Sequence, residues 1–155
     1  MRVSTPVTAD DVLVASRALL GVVARSIAPV VDAITIPQFR VLVILSTSQG
    51  PVRQGDLAAM LGNHPSTFSR TADRLVGGGW VRRSENPDNR RETLIELTKT
   101  GEQLVNQVTV NRQREITKIL DRLSPQDRDK VLEGMRVFAH AAGEPLPGVL
   151  LPLGM

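Results

Sequence analysis

The chain has 155 residues and a net charge of +3, a length that fits one domain with a real core and is short for a two-lobed enzyme. It contains no Cys, which excludes a disulfide framework, a thiolate zinc site and a cysteine redox switch; aromatics at 3% disfavour modules that stack bases on exposed rings. The opening MRVSTPVTADD has no apolar signal core and no run of about 18 apolar residues follows, so a soluble, cytoplasmic protein without a membrane partner is expected.

Thr8 with Asp11 forms a capping-box pattern and opens an apolar series, Val12, Ala15, Leu19, Val22, Ile27 and Val30, that predicts a long first helix. Thr35 with Gln38 is a second capping box, starting a helix with Phe39, Leu42 and Val43 on its apolar face and ending at the QGP of Gln49 to Pro51. QGDLAAML makes a short helix closed by Gly62. In NHPSTFSRTADRLVGGGW, Pro65 suits a first helical position, Phe68, Ala72 and Leu75 form an inner stripe, and Gly77 to Gly79 stop the helix and turn the chain. A hairpin follows: Trp80 and Val81 begin one arm, ENPDN is turn chemistry, and Thr93, Ile95 and Leu97 alternate along the return. Thr98 caps a long helix with Leu104, Val105, Val108, Ile116, Ile119 and Leu120, and SPQD from Ser124 starts the last one.

The charge excess is local. Residues 1–39 and 101–155 balance, whereas residues 40–100 hold nine basic against six acidic groups. From Ser66 to Arg91, Arg70, Arg74, Arg82, Arg83, Arg90 and Arg91 face Asp73, Glu85 and Asp88, a balance that suits a polyanion. Two short helices followed by a basic hairpin make a winged helix-turn-helix, in which the second helix enters the DNA major groove. Its outward side chains must be short enough to approach base edges and able to hydrogen-bond, which Ser66, Thr67, Ser69 and Arg70 satisfy. The fold class read from this order is mainly α with a small β wing: a winged helix-turn-helix over 34–100, flanked by dimerisation helices over 7–33 and 101–143, with an apolar tail over 144–155. Pro145 and Pro147 prevent the last helix from continuing, so the tail's Val149, Leu150, Leu151 and Leu153 are expected to pack on the dimerisation helices.

The motifs PQFRVL, DLAAMLG, PSTFSR before DRLV, and RRETLIELTKTG occur in an order and spacing that resembles the MarR-type family of winged-helix transcriptional regulators, over about Ile34 to Val105. The resemblance implies a homodimer on double-stranded DNA with a pseudo-palindromic operator, and often a small-molecule effector, commonly a phenolic or aromatic acid, between the dimerisation and DNA-binding regions. The candidate DNA-binding set is Arg53, Gln54, Ser66, Thr67, Ser69, Arg70, Arg74, Arg90 and Arg91. No cofactor is expected. Two departures from the family pattern stand out. Where the wing usually carries Asp-x-Arg, this chain has Asn89 and Arg91, and an Asn cannot hold an Arg by a charged pair, so a less firmly held wing is expected. Where many relatives have Asp before the proline of the reading helix, this chain has His64, which leaves Asn63 as an alternative cap. The peroxide-sensing branch uses a cysteine and is excluded.

Other readings are weaker. No Ser, His and Asp set has motif spacing and no carboxylate pair stands out, so an enzyme is not expected. His64 and His140 have no companion at ligand spacing, and no Gly-Lys-Ser/Thr follows Gly77 to Gly79, so they form no phosphate loop. Arg74 has a bland alternative, pairing with local acids such as Asp73. A winged-helix module that contacts proteins without DNA is the competing function, and the basic wing and hydroxyl face argue against it.

Overall fold

Six α-helices and a three-stranded antiparallel sheet account for residues 8–144, the part of the chain described by the computed structural model. Helix α1 (Ala9–Ile27) starts where Asp11 accepts a hydrogen bond from the Thr8 backbone N–H at 2.9 Å. The apolar series continues to Val30, but the α-helix does not: Pro29 lacks an N–H and the last residues form a 3-10 turn, Ala28–Val30. Helix α2 (Ile36–Thr47) begins at Thr35, whose backbone N–H is received by Gln38 Oε1 at 2.9 Å, the reciprocal half of the capping box. Helices α3 (Gln54–Met60) and α4 (Pro65–Gly77) follow, separated by Gly62 at φ +63.

Strands β2 (Val81–Asn86) and β3 (Asn89–Leu97) form the expected hairpin, with Val81 opposite Leu97 and Arg83 opposite Ile95. A third strand, β1 (Val52–Arg53), pairs with the outer side of β3, Val52 opposite Ile95. Two residues carry no periodicity, so this strand is defined by its partner rather than by its own pattern. The core lies beneath the sheet: Ile34, Leu42, Leu57, Phe68, Leu75 and Ile95 are essentially inaccessible, and Ile27 and Val30 from the first helical segment join them.

Helices α5 (Lys99–Leu120) and α6 (Pro125–Ala141) complete the chain, capped by Thr98 and Ser124 as expected. α1 packs along α5, and Arg25 is joined to Glu115 at 2.5 Å. α6 contrasts with every other helix: none of its residues is buried, and Val131, Leu132, Met135, Val137 and Phe138 are exposed. Just after it, Glu144 accepts two hydrogen bonds from Arg40 on α2, at 3.0 and 2.7 Å, which holds its carboxyl below the ordinary carboxylate range. Except for Glu144, the apolar tail lies outside the described residues.

The segment Ala9–Val30 reaches a mean hydropathy of 1.5 and is, by length and composition alone, apolar enough to cross a membrane. Arg17 and Arg25 interrupt its apolar run, and its last third enters the protein core through Ile27 and Val30. The exposed apolar side chains, Val12, Leu13, Val14, Leu19 and Leu20, lie on its first two thirds.

Gly101 sits in the first turn of α5, buried against the backbone of Trp80. A Cβ there would overlap the Trp80 carbonyl oxygen and meet Leu97 Cδ2 at 3.0 Å. Gly101→Ala is therefore expected to destabilise the protein by about 1–3 kcal/mol, the usual cost of overpacking. Gly77, whose added Cβ would meet nothing within 4 Å, serves as the control: Gly77→Ala should stay within about 1 kcal/mol of wild type. Denaturant titration of both variants checks this, and an unchanged midpoint for Gly101→Ala would contradict the close approach.

Candidate nucleic-acid interface

Helix α4 is anchored by Phe68, Ala72 and Leu75, all at 0% exposure, which fixes which side of it faces outward. With about 100° between successive residues, Ser66, Thr67, Arg70 and Arg74 fall on the side opposite that stripe, and all four are exposed. Ser69 does not. It is half-buried on the flank that faces the wing, and its carbonyl accepts a hydrogen bond from Arg83 Nη2 at 3.2 Å. Of the residues expected to read DNA on this helix, Ser66, Thr67, Arg70 and Arg74 are exposed, and Ser69, one residue from the buried Phe68, lies on the flank beside β2.

The helix start is settled in favour of His64. Its Nδ1 lies 3.3 Å from the Ser66 backbone N and 2.8 Å from Ser66 Oγ, and takes the capping role that Asn63 does not. A side-chain acceptor over the first turn satisfies an N–H that the helix itself leaves unpaired.

The basic residues divide into two groups. Arg82 is paired across the strands with Glu96 at 2.9 Å, and Arg83 with Asp73 on α4 at 2.5 Å. Arg74, adjacent to Asp73 on the helix and pointing elsewhere, forms no pair with it. Arg70, Arg74, Arg90 and Arg91 are exposed and have no ion pair among the described residues. Four exposed guanidinium groups without an ion pair among the described residues, on α4 and the wing tip, outnumber the exposed acids Asp73, Glu85 and Asp88 beside the hydroxyls.

What holds the wing is also visible. Asn89 Oδ1 accepts from the Arg91 backbone N–H at 3.2 Å, so it organises the turn without a charged pair. The charge is supplied by Glu92, which pairs with Arg53 at 3.2 Å and accepts from Asn86 Nδ2 at 2.7 Å. The wing is therefore tied to β1, and the expected loss of firmness is offset by a carboxylate one residue beyond Arg91. This tie brings Arg53 and the half-buried Gln54 to the same cleft as Arg91, a volume of about 310 Å³ between the start of α3 and β3.

A second cleft, of about 350 Å³, lies where α2 ends and α5 begins, lined by Ser46, Ser48, Glu96, Leu97, Glu102 and Asn106 among others. Two carboxylates make it a poor host for an acid. Among the described residues no group of three or more His, Asp or Glu side chains could hold a metal ion.

Sequence reasoning missed the roles of Arg83 and Glu92. Each looked like one more charge in the hairpin, and only the pairing of strands and helix shows that Arg83 points back to α4 and Glu92 sideways to β1.

The family profile described as MarR family matches residues 34–93, the span from the start of α2 to the wing. The crystal structure of RV1404 from Mycobacterium tuberculosis superposes with a TM-score of 0.80 at 45% identity, covering 88% of this chain and 92% of that one. The HTH-type transcriptional regulator YwoH of Bacillus subtilis is 31% identical over 65% of this chain and 72% of its own length. The transcriptional repressor MprA of Escherichia coli is 24% identical over 60% of this chain, and the match spans 53% of MprA's length. The chain therefore belongs to the MarR family of DNA-binding, winged helix-turn-helix transcriptional regulators.

Proposed function

We propose that the chain acts as a homodimeric repressor of a pseudo-palindromic operator, with 34–100 as the DNA-binding region and 7–33 and 101–143 as the dimerisation helices, released by a small acidic ligand. The observation that carries the sequence-specific reading is the outward face of α4, where Ser66, Thr67, Arg70 and Arg74 stand exposed beside a wing bearing Arg90 and Arg91, which have no ion pair among the described residues. Short hydroxyls and an arginine on a major-groove helix suit base edges, and arginines on a wing suit phosphate or the minor groove. The repressor sense is supported by similarity to MprA, which is named as a transcriptional repressor.

Selection of bound fragments from the source genome tests this directly and yields the operator. On that operator, Arg70→Ala is expected to cost about 1–3 kcal/mol and to relax preference at one position per half-site. Replacing Arg90 and Arg91 should instead weaken binding to all sequences and flatten the salt dependence by roughly one unit per lost phosphate contact. Equal losses on operator and random DNA for Arg70→Ala would refute its reading role.

Dimerisation is supported by α6, which is amphipathic yet has no buried residue against the rest of the described chain, and by the exposed apolar side chains of α1. Two-fold pairing there would set two reading helices about 10 base pairs apart. Because Val22, Ile27 and Val30 belong to the core, the clean test is on α6. Leu132→Glu with Phe138→Glu should give a folded monomer by sedimentation and lose at least tenfold in operator affinity; a variant that sediments as a dimer would sink the assignment.

For the ligand, the supporting group is Arg112 on α5. It is half-buried, has no carboxylate within ion-pair distance among the described residues, and donates from Nε to the fully buried Ser26 Oγ at 3.3 Å. Burial lowers its guanidinium pKa, which remains charged in the ordinary range. An aromatic carboxylate would supply the missing counter-charge. Arg112→Ala should leave operator binding intact and abolish release by such acids; release at wild-type ligand concentrations would exclude Arg112 from the ligand site.

A further inference from the structure

We propose that Arg83 and Asp73 form a strut that sets the roll of the reading helix relative to the wing, making Arg83 a positioning residue for operator recognition and not a contact to DNA. The proposal rests on the sequence-specific reading above and concerns how that specificity is achieved.

The geometry is a two-point attachment. Arg83 leaves the middle of β2, opposite Ile95 in the sheet, and its guanidinium reaches α4 at two places one helical turn apart. Nη1 donates to Asp73 Oδ1 at 2.5 Å and Nη2 donates to the Ser69 carbonyl at 3.2 Å. The buried stripe of Phe68, Ala72 and Leu75 fixes which side of α4 faces outward, and a single polar contact would add little to the finer setting of its roll. Two contacts at i and i+4, made by one planar and rigid group, resist that rotation. A third nitrogen, Nε, is buried without a partner among the described residues, while the side chain as a whole keeps 29% of its surface exposed.

The residues on either side show what the strut controls. Arg70 follows Ser69 and lies on the outward face, while Arg90 and Arg91 extend from the same hairpin that carries Arg83. If α4 rolls, Arg70 leaves its base edge while the wing stays in place. A fixed roll lets the helix and the wing engage one half-site together. Asp73 is then an acid that favours DNA binding although it sits, exposed, on a basic surface facing a polyanion.

That inversion of the electrostatic expectation supplies the test. Asp73→Asn removes a negative charge from the DNA-facing side, so simple electrostatics predicts tighter binding to any DNA. The strut predicts the opposite on the selected operator: affinity falls roughly 5- to 10-fold as a charge-assisted hydrogen bond becomes a neutral one, while binding to random DNA is unchanged or stronger. Arg83→Gln should show the same loss of operator preference with the wild-type salt slope, and combining it with Asp73→Asn should add little further. Asp73→Asn that binds operator as tightly as wild type would overturn the proposal. So would Arg83→Gln that flattens the salt slope by about one unit, which marks a phosphate contact. A proportional loss on operator and random DNA, tracking a lowered melting temperature, would reduce the pair to a structural role and overturn it too. Should Arg83→Gln fail to fold, Asp73→Asn decides alone. A wild-type protein that selects no genomic fragment would defeat the sequence-specific reading itself, a failure distinct from any of these.

Discussion

The structure turns on the junction where the base of the wing meets the start of α5. Thr98 donates from its backbone N–H to the Trp80 carbonyl at 3.0 Å and from its hydroxyl to the Gly79 carbonyl at 2.6 Å. The same hydroxyl receives the Gly101 N–H at 3.2 Å and so caps α5. Gly79 adopts φ +74, a conformation that glycine takes without strain, and Gly101 has no side chain to keep α5 away from the Trp80 backbone. One threonine thus closes the hairpin, starts the long helix and joins both to the turn that ends α4. The reading helix, wing and α5 radiate from this point, and their mutual angles depend on it.

Much of this architecture was legible because its signals are local. The capping pairs Thr8 with Asp11, Thr35 with Gln38 and Ser124 with Asp127 lie within four residues of each other, and each marks a real helix start. The stripe of Phe68, Ala72 and Leu75 identifies the inner face of α4 by spacing alone. What stayed hidden depends on partners far along the chain. The strand Val52–Arg53 exists because β3 offers it an edge, the flank of α4 at Ser69 is half-buried where Arg83 from β2 reaches its carbonyl, and Glu92 steadies the wing because Arg53 is within reach. Single-chain periodicity also implied that the terminal helices need partners, yet gave no means of telling that α1 is divided. Its last third belongs to the winged-helix core, whereas α6 contributes nothing to it.

The basic region illustrates a related lesson about charge. Six arginines between Ser66 and Arg91 look alike in composition, but they serve two physical ends. Arg82 and Arg83 are consumed by internal pairing, which gives the sheet and helix their relative placement. The remaining four keep their charge available, and an exposed guanidinium without a protein partner interacts with a polyanion at no cost in broken ion pairs. Net charge alone would overstate the electrostatic surface and miss the pairing that shapes it.

The unpartnered Nε of Arg83 has one further consequence. A buried N–H without an acceptor is unfavourable, by about 1–3 kcal/mol where burial is complete, so the joint between wing and helix is not built for maximal stability. An apolar side chain such as methionine could fill much of the same space without leaving a donor unpaired. It would pack equally well over a range of helix orientations, since dispersion contacts have little angular preference. The arginine exchanges cohesion for direction: two hydrogen bonds to fixed acceptors refine the orientation that the buried stripe of α4 sets.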